Sequence, residues 1–362
     1  MIPLSALPTP ALLVDLDRLE RNIAAMAGAF AAAGVALRPH IKTSKCWEVA
    51  RRQLDAGAIG FTCSTAAEVA WLQSRGVGDL LWAHIPIGPR KVAFVVDSIA
   101  QHGGGLTVSL DSVEAARPLS AAAVTAGVTV PFVLEINTGH ARLGVEPASA
   151  VATATAIAAL PGLRLRGVLT HEGHISVLAS RPDLEQAGAA AGTLLVSVAD
   201  ALRAAGLPVE VVSVGSTPGA TSAPFVPGIT EGRPGTYVYF DGNQTRLGSC
   251  SLDQCAQTVL ARVASVQRAG RPIIDAGIKA MSSDTIAAAG GVGVVLDRAD
   301  VTFPEANEEH GFLSDGGEVP LAVGDLVRLV PNHACGTTNM WSHLYAVRGD
   351  VAVERWEISA RY

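Results

Sequence analysis

Arg38-Pro39-His40-Ile41-Lys42 closes a short alternating apolar run, Gly34-Val35-Ala36-Leu37, and so puts a lysine amine where a strand should end. In a barrel of parallel strands the carboxyl ends of the strands face the active site. An amine there is a candidate for Schiff-base chemistry with an aldehyde or ketone. Other polar clusters follow other apolar runs: Asn137-Thr138-Gly139-His140-Ala141-Arg142, His171-Glu172-Gly173-His174 and Gly215-Ser216-Thr217-Pro218-Gly219. Gly215, Ser216 and Thr217 suit an anion, because small residues let backbone N–H groups approach it and two hydroxyls add donors. Gly235, Thr236 and Tyr237 are candidates for the same anion. A lysine at one strand end and a phosphate cradle across the rim suggest pyridoxal 5′-phosphate, with its aldehyde on Lys42 and Arg142 near its phenolic oxygen.

A second candidate is Pro331-Asn332-His333-Ala334-Cys335. In an extended segment alternate residues point the same way, so His333 and Cys335 could share a metal. Imidazole plus thiolate suits zinc better than magnesium or calcium. Two ligands leave the shell open, as a catalytic metal requires.

The elements that must position these groups alternate. An opening strand over 11–16 is followed by an amphipathic helix over 17–33, for which Asp17 is the expected N-cap and Glu20 the partner in a capping box. Eight short apolar runs then lie near 35–41, 58–63, 79–83, 106–110, 128–136, 163–170, 209–214 and 236–240. Most gaps hold a helix-length segment, while 217–234 is rich in Gly, Pro, Ser and Thr and reads as loop. Strand–helix alternation predicts a parallel sheet, and this count suits a (β/α)8 TIM-type barrel over 10–245. Beyond residue 245 the strand-like runs lack helical partners and are separated by turns such as Gly324-Asp325 and Gly349-Asp350. That predicts a second, mainly antiparallel β domain over 246–362 plus 1–9, carrying the metal site.

The 362 residues are 49% apolar and only 17% charged, with a net charge of −6 and no basic block. Nucleic acid and acidic membrane surfaces are therefore not expected as partners. No apolar run in the sequence reads as the roughly 20 residues of a membrane span. The N-terminus lacks the features of a signal peptide. Five scattered cysteines (46, 63, 250, 255 and 335) do not suggest a disulfide framework and point to a reducing cytoplasm.

The chain resembles the D-threonine aldolase, D-serine dehydratase and 3-hydroxy-D-aspartate aldolase family, whose architecture is fold type III, alanine-racemase-like. The resemblance covers nearly the whole chain. It rests on Thr9-Pro10-Ala11, Arg38-Pro39-His40-Ile41-Lys42, Thr138-Gly139 with Arg142 and Gly144, and Gly215 with Thr217-Pro218. Gly235-Thr236-Tyr237, Asp275-Ala276-Gly277, Glu309-His310-Gly311 and His333 with Cys335 complete it. The resemblance implies a homodimer, pyridoxal 5′-phosphate on Lys42, Arg142 near its phenolic oxygen, and a divalent metal. The aldolase branch carries His-Cys-Asp and typically uses magnesium or manganese. The dehydratase branch carries His-x-Cys and zinc, the pattern of His333 and Cys335. Two positions depart: Ser44 stands where the family usually has His, and His171 where a Tyr often faces the pyridine nitrogen. The expected activity is a lyase on D-3-hydroxy amino acids (D-serine, D-threonine or D-3-hydroxyaspartate) yielding a 2-keto acid and ammonia. The alternatives are retro-aldol cleavage to glycine and an aldehyde, or a non-catalytic cofactor-binding protein.

Overall fold

The computed structural model describes residues 1–178, 180–284, 291–296, 298–316 and 320–361. The chain divides into two compact units, one of Ala27–Lys42 and Gln53–Gly235, the other of Met1–Met26, Thr43–Arg52 and Thr236–Arg361.

The first unit is built on eight strands, numbered here β1 (Ala36–Leu37), β2 (Phe61–Cys63), β3 (Leu80–Trp82), β4 (Leu106–Leu110), β5 (Val130–Glu135), β6 (Leu163–Leu169), β7 (Val211–Val214) and β8 (Glu231–Gly232). Neighbours pair in parallel from β2 through to β8, and β8 pairs with β1. A bridge between His40 and Thr62, with Thr62 N–H donating to Pro39 O at 2.8 Å, joins β1 to β2 and closes the ring. The expected (β/α)8 barrel is therefore present. Local chemistry sets the helices between the strands. Thr65 caps Ala66–Ser74 by accepting the Glu68 N–H, and left-handed Gly103 and Gly127 end Pro89–His102 and Val113–Ala126. The helix Arg181–Ala204 is long and apolar enough to cross a bilayer by length and composition, which the sequence reading did not anticipate. Leu184, Leu195, Val198 and Leu202 bury one face of it, as in a helix packed on a sheet.

The eighth strand corrects the sequence reading. It is Glu231–Gly232, inside the segment read as loop, whereas Thr236–Val238 forms a 3-10 turn rather than a strand. Charges rather than apolar side chains hold it. Arg38 donates to Glu231 at 3.0 Å and to Asp79 at 2.8 Å, and Ser213 donates to Glu231 at 2.7 Å. Arg233 donates to Thr170 O at 2.6 Å and also to the Ser213 hydroxyl.

Among the described residues the second unit carries a sheet of ten strands. Gln257–Ser265 is its hub, pairing antiparallel with Ala11–Asp15, Ile273–Ile274 and Leu326–Pro331. Gly311–Asp315, Val301–Ala306 and Gly293–Leu296 continue the order from Ile273–Ile274 back to Leu326–Pro331, so this part curls into a small barrel. The opening strand Ala11–Asp15, grouped with the parallel barrel by sequence, thus belongs to the antiparallel sheet. The helix that follows begins at Leu16, and Asp15 rather than Asp17 accepts the Arg18 N–H, at 3.0 Å. Asp17 instead pairs with Arg348.

Gly167 is needed where β6 bulges against β5: its φ is +152°, and a Cβ would lie 1.9 Å from Val211 O. Gly28, exposed within Leu16–Ala33, has open space around it. In urea unfolding, Gly167→Ala should cost about 3 kcal/mol or more, through backbone strain and overpacking. Gly28→Ala should add about 0.5–1 kcal/mol. A neutral Gly167→Ala would contradict the β6 geometry.

Candidate active site

In the first unit, the predicted residues gather past the carboxyl ends of the barrel strands. Lys42 lies on the short turn Ile41–Thr43 after β1, half-buried. His40 and Lys42 follow β1 and His171 follows β6, so all three lie past the carboxyl ends of barrel strands. His171, after β6, donates from Nδ1 to the Gly215 carbonyl. Burial foremost, then the charges of Lys42, Arg142 and Arg233, pull its pKa down to about 3 despite that hydrogen bond. The ring is therefore neutral, with Nε2 an acceptor. Arg142, after β5, is exposed and lines a narrow cleft with Glu135, Asn137, Thr138, His140 and His171.

The loop after β7 does something the sequence did not indicate. Gly215 N–H donates to Glu172 Oε2 at 3.1 Å, and the Ser216 hydroxyl donates to Glu172 Oε1 at 2.8 Å. Two of the three expected anion donors thus serve to hold the loop on a buried carboxylate. Thr217 remains: its hydroxyl is buried and, among the described residues, has no partner. An unsatisfied buried donor is costly, so an anion at this loop fits the phosphate expectation. Gly235 is buried one position beyond Pro234.

Residues unnoticed in the sequence complete this rim. His40 is half-buried, with Nε2 3.3 Å from the Ser64 hydroxyl, and desolvation followed by Lys42, Arg233 and His171 drives its pKa well below the ordinary value. Burial also lowers the Arg233 pKa, while Glu231, Glu172 and Glu135 sustain its charge. The available signal was Arg233-Pro234 directly before Gly235, a cation beside a proposed anion site.

In the second unit, His333 and Cys335 do come together, though for a different reason from the one expected. His333 is not in an extended run. It is the N-cap of the helix Ala334–Met340, so Cys335 sits in the first turn. Asp241 builds this turn: fully buried, it accepts the Ala334 N–H at 2.9 Å while also capping its own helix through the Gln244 N–H at 2.9 Å. Asp284 accepts from His333 Nδ1 at 2.5 Å, leaving Nε2 for a ligand. The Thr43 hydroxyl is 3.2 Å and the Thr236 hydroxyl 3.8 Å from Cys335 Sγ. Burial opposes charge on His333, but Cys335, Asp241 and Asp284 together outweigh it and raise the pKa to about 10. That pocket of negative potential, with nitrogen and sulfur donors, fits a divalent cation. Among the described residues no group of three His, Cys, Asp or Glu side chains could hold a metal alone, so other ligands would complete the shell. Tyr237, expected on the phosphate side, lies fully buried in the apolar core of this unit with Tyr239 and Phe240.

Residues 14–243 match the alanine racemase N-terminal domain, and residues 256–347 match a putative serine dehydratase domain. The D-threo-3-hydroxyaspartate dehydratase of Delftia sp. (strain HT23) is 39% identical over 98% of this chain and 98% of its own length. The D-threonine aldolase of Arthrobacter sp. is 31% identical over 99% of this chain and 94% of its own. A solved structure of the dehydratase, a cysteine-to-alanine variant in a metal-free form, superposes with a TM-score of 0.93 at 37% identity, covering 100% of this chain and 99% of the other. The chain therefore belongs to the alanine-racemase-like family of D-threonine aldolases and D-serine dehydratases.

Proposed function

We propose that this protein is a lyase that dehydrates D-3-hydroxy amino acids to a 2-keto acid and ammonia, acting as a homodimer in a reducing compartment. The observation that carries the reading is the His333–Cys335 pair, a nitrogen and a sulfur donor in one helix-capping turn, in a chain so similar to a D-3-hydroxyaspartate dehydratase. A metal-free form has been solved for a cysteine variant of that dehydratase, which supports a metal role for such a thiol. All five cysteines are free thiols, in keeping with a reducing compartment.

Lys42, Arg142 and His171 would hold the aldehyde, phenolic and ring ends of pyridoxal 5′-phosphate, and Thr217 with Gly235 and Thr236 its phosphate side, while Gly215 and Ser216 fix their loop on Glu172 and Tyr237 stays in the apolar core. When bound there, the cofactor supplies a conjugated ring that draws electron density from Cα. His333 and Cys335 would hold the divalent metal, zinc in preference to manganese or magnesium, which supplies a Lewis acid for the 3-hydroxyl oxygen. The Lys42 amine takes the Cα proton. Neutral His171, fixed by the Gly215 carbonyl, keeps Nε2 as an acceptor toward the ring. Thr217 contributes its unpartnered hydroxyl to the anion. Loss of the Cα proton and the 3-hydroxyl, as water, leaves an enamine. Tautomerisation and uptake of water then release ammonia and the 2-keto acid.

The aldolase reading keeps the same residues but breaks Cα–Cβ, giving glycine and an aldehyde, and the D-threonine aldolase relative supports it. Incubation with D-serine, D-threonine and D-threo-3-hydroxyaspartate decides between them. Pyruvate, 2-oxobutyrate and oxaloacetate should appear, each with one ammonia. Glycine and aldehyde without keto acid would replace dehydration by cleavage.

Borohydride reduction and peptide mapping should mark Lys42, and Lys42→Ala should lose the mark and at least about 1,000-fold in turnover. A mark on another lysine would overturn the assignment. Chelation, His333→Ala and Cys335→Ala should each empty the metal site and lower kcat at least about 100-fold while the cofactor's absorbance persists. Full activity in a metal-free preparation would remove the metal from the reaction.

A further inference from the structure

We propose that Cys250 and Cys255 are a thiol modification site, at which Cys250 reacts with hydrogen peroxide and Cys255 closes a reversible disulfide with it. The site lies wholly in the second unit and needs neither the cofactor nor the metal. The chain doubles back between the two thiols. Gly248, with φ +67°, turns it out of the short helix Gly242–Arg246. The Ser251 N–H then donates to Gln254 Oε1 at 3.0 Å, and the Gln254 N–H to Ser251 O at 3.1 Å, closing the 3-10 turn Leu252–Gln254. That turn returns Cys255 to Cys250. The Thr245 hydroxyl lies 3.5 Å from each sulfur, and the two thiols hydrogen-bond each other.

The two thiols are not equivalent. Cys250 is half-buried and Cys255 buried, while Ser251, Asp253 and Gln254 between them are exposed, so a small oxidant reaches Cys250 first. The hydrogen bond from Cys255 foremost holds the Cys250 thiol below its ordinary pKa, and Thr245 and the Asp241 main chain add to it against burial. The same bond, followed by burial, keeps Cys255 protonated, well above its ordinary value. Cys250 is therefore the nucleophile, because the thiolate is the reactive form, and Cys255 the resolving thiol. The other cysteines are placed differently. Cys46 and Cys63 are fully buried, and burial pushes both well above the ordinary range. Cys335 faces the Thr43 and Thr236 hydroxyls in the candidate metal turn.

The reaction balances with the peroxide alone. The Cys250 sulfur attacks one peroxide oxygen, the O–O bond breaks, and a sulfenic acid and one water form. The Cys255 sulfur then attacks the sulfenic sulfur. The S–O bond breaks, the S–S bond forms, and the departing hydroxide takes the Cys255 proton as a second water. The thiol pair loses two electrons and the peroxide gains them. A small dithiol reopens the bond by exchange, so the reduced pair is the resting form in a reducing compartment. The site also adjoins the residue that builds the His333 turn. The Asp241 main chain hydrogen-bonds Cys250, Thr245 donates to the Asp241 carbonyl at 3.1 Å, and the Asp241 carboxylate accepts the Ala334 N–H at 2.9 Å.

The test exposes the reduced full-length protein to a slight excess of hydrogen peroxide, alkylates the remaining thiols and maps the tryptic peptides. Cleavage after Arg246 and Arg262 leaves both cysteines on one peptide, 247–262. That peptide should appear two hydrogens lighter and unalkylated, and dithiothreitol should restore two alkylatable thiols. Brief alkylation without peroxide should mark Cys250 at least about tenfold faster than Cys46, Cys63 or Cys255. Cys255→Ser should leave a sulfenic acid on Cys250 that dimedone captures, and Cys250→Ser should end the peptide's reaction with peroxide. If either variant fails to fold, the wild-type map decides alone. A peptide 247–262 that stays reduced while Cys46, Cys63 or Cys335 is oxidised would overturn the site. So would a disulfide joining two chains, or irreversible sulfinic acid on wild-type Cys250, since either removes Cys255 as the resolving thiol.

Discussion

The buried charge pair between Arg38 and Glu231 is the contact on which the barrel rim depends. The strand that carries Glu231 is only Glu231–Gly232, too short for its ladder to hold it. Arg38 closes on it at 3.0 Å with both side chains about 95% buried, while Ser213 donates to the other carboxylate oxygen. Breaking such a pair by removing one partner typically costs about 3–5 kcal/mol, because a charge is left buried and uncompensated. Arg233, next in the chain, extends the network to Thr170 on the loop after β6 and Ser213 on β7. The loops that carry His171 and Gly215 are thus tied to the same set of buried charges. A barrel of this kind is commonly filled by layers of branched apolar residues, but part of this interior is an ionic lattice.

That lattice explains why the barrel was legible and its last strand was not. Runs such as Leu106–Leu110 and Val130–Glu135 announce themselves by apolar and β-branched side chains. Glu231-Gly232 has neither, since it is held by charge, and the apolar run Tyr237–Phe240 just beyond it belongs to another core. Lys42 was readable because it ends a strand, and His333 with Cys335 because of their residue types. Their geometry was not readable: the capping turn depends on Asp241, which lies 92 positions before His333 (333 − 241), beyond the reach of local patterning. Glu172 was hidden for the opposite reason. It sits in full view beside His171, and only the fold reveals that it takes the donors Gly215 and Ser216 were expected to offer an anion.

The two units divide the electrostatics between them. The rim of the first collects Lys42, Arg142, Arg233 and histidines that burial foremost, and those cations after it, keep neutral. That environment suits phosphates and carboxylates, and it keeps His171 an acceptor rather than a competing cation. The second unit presents the reverse: Cys335, Asp241 and Asp284 around His333 favour positive charge strongly enough to raise its imidazole to about 10, against the effect of burial. A ligand histidine must lose its proton to bind a metal, so the same potential that would attract the cation also holds the proton it must displace. The affinity of such a site is therefore set by a competition.

The two carboxylates beside His333 do different work in that competition. Asp241 is fully buried and accepts backbone N–H groups from two helices, so it fixes the main chain of the turn. Asp284 has a half-exposed side chain and touches the imidazole itself, while Asn332 anchors its backbone by donating to the Asp284 carbonyl at 3.1 Å. The position of the Cα atoms of His333 and Cys335 is thus set by a contact shielded from water. The tautomer and tilt of the ring are set by one that water can reach. Screening weakens the second kind of contact far more than the first. Changes at Asp284 would therefore be expected to alter how His333 presents Nε2 without altering where the helix begins, whereas changes at Asp241 would move both ligands together.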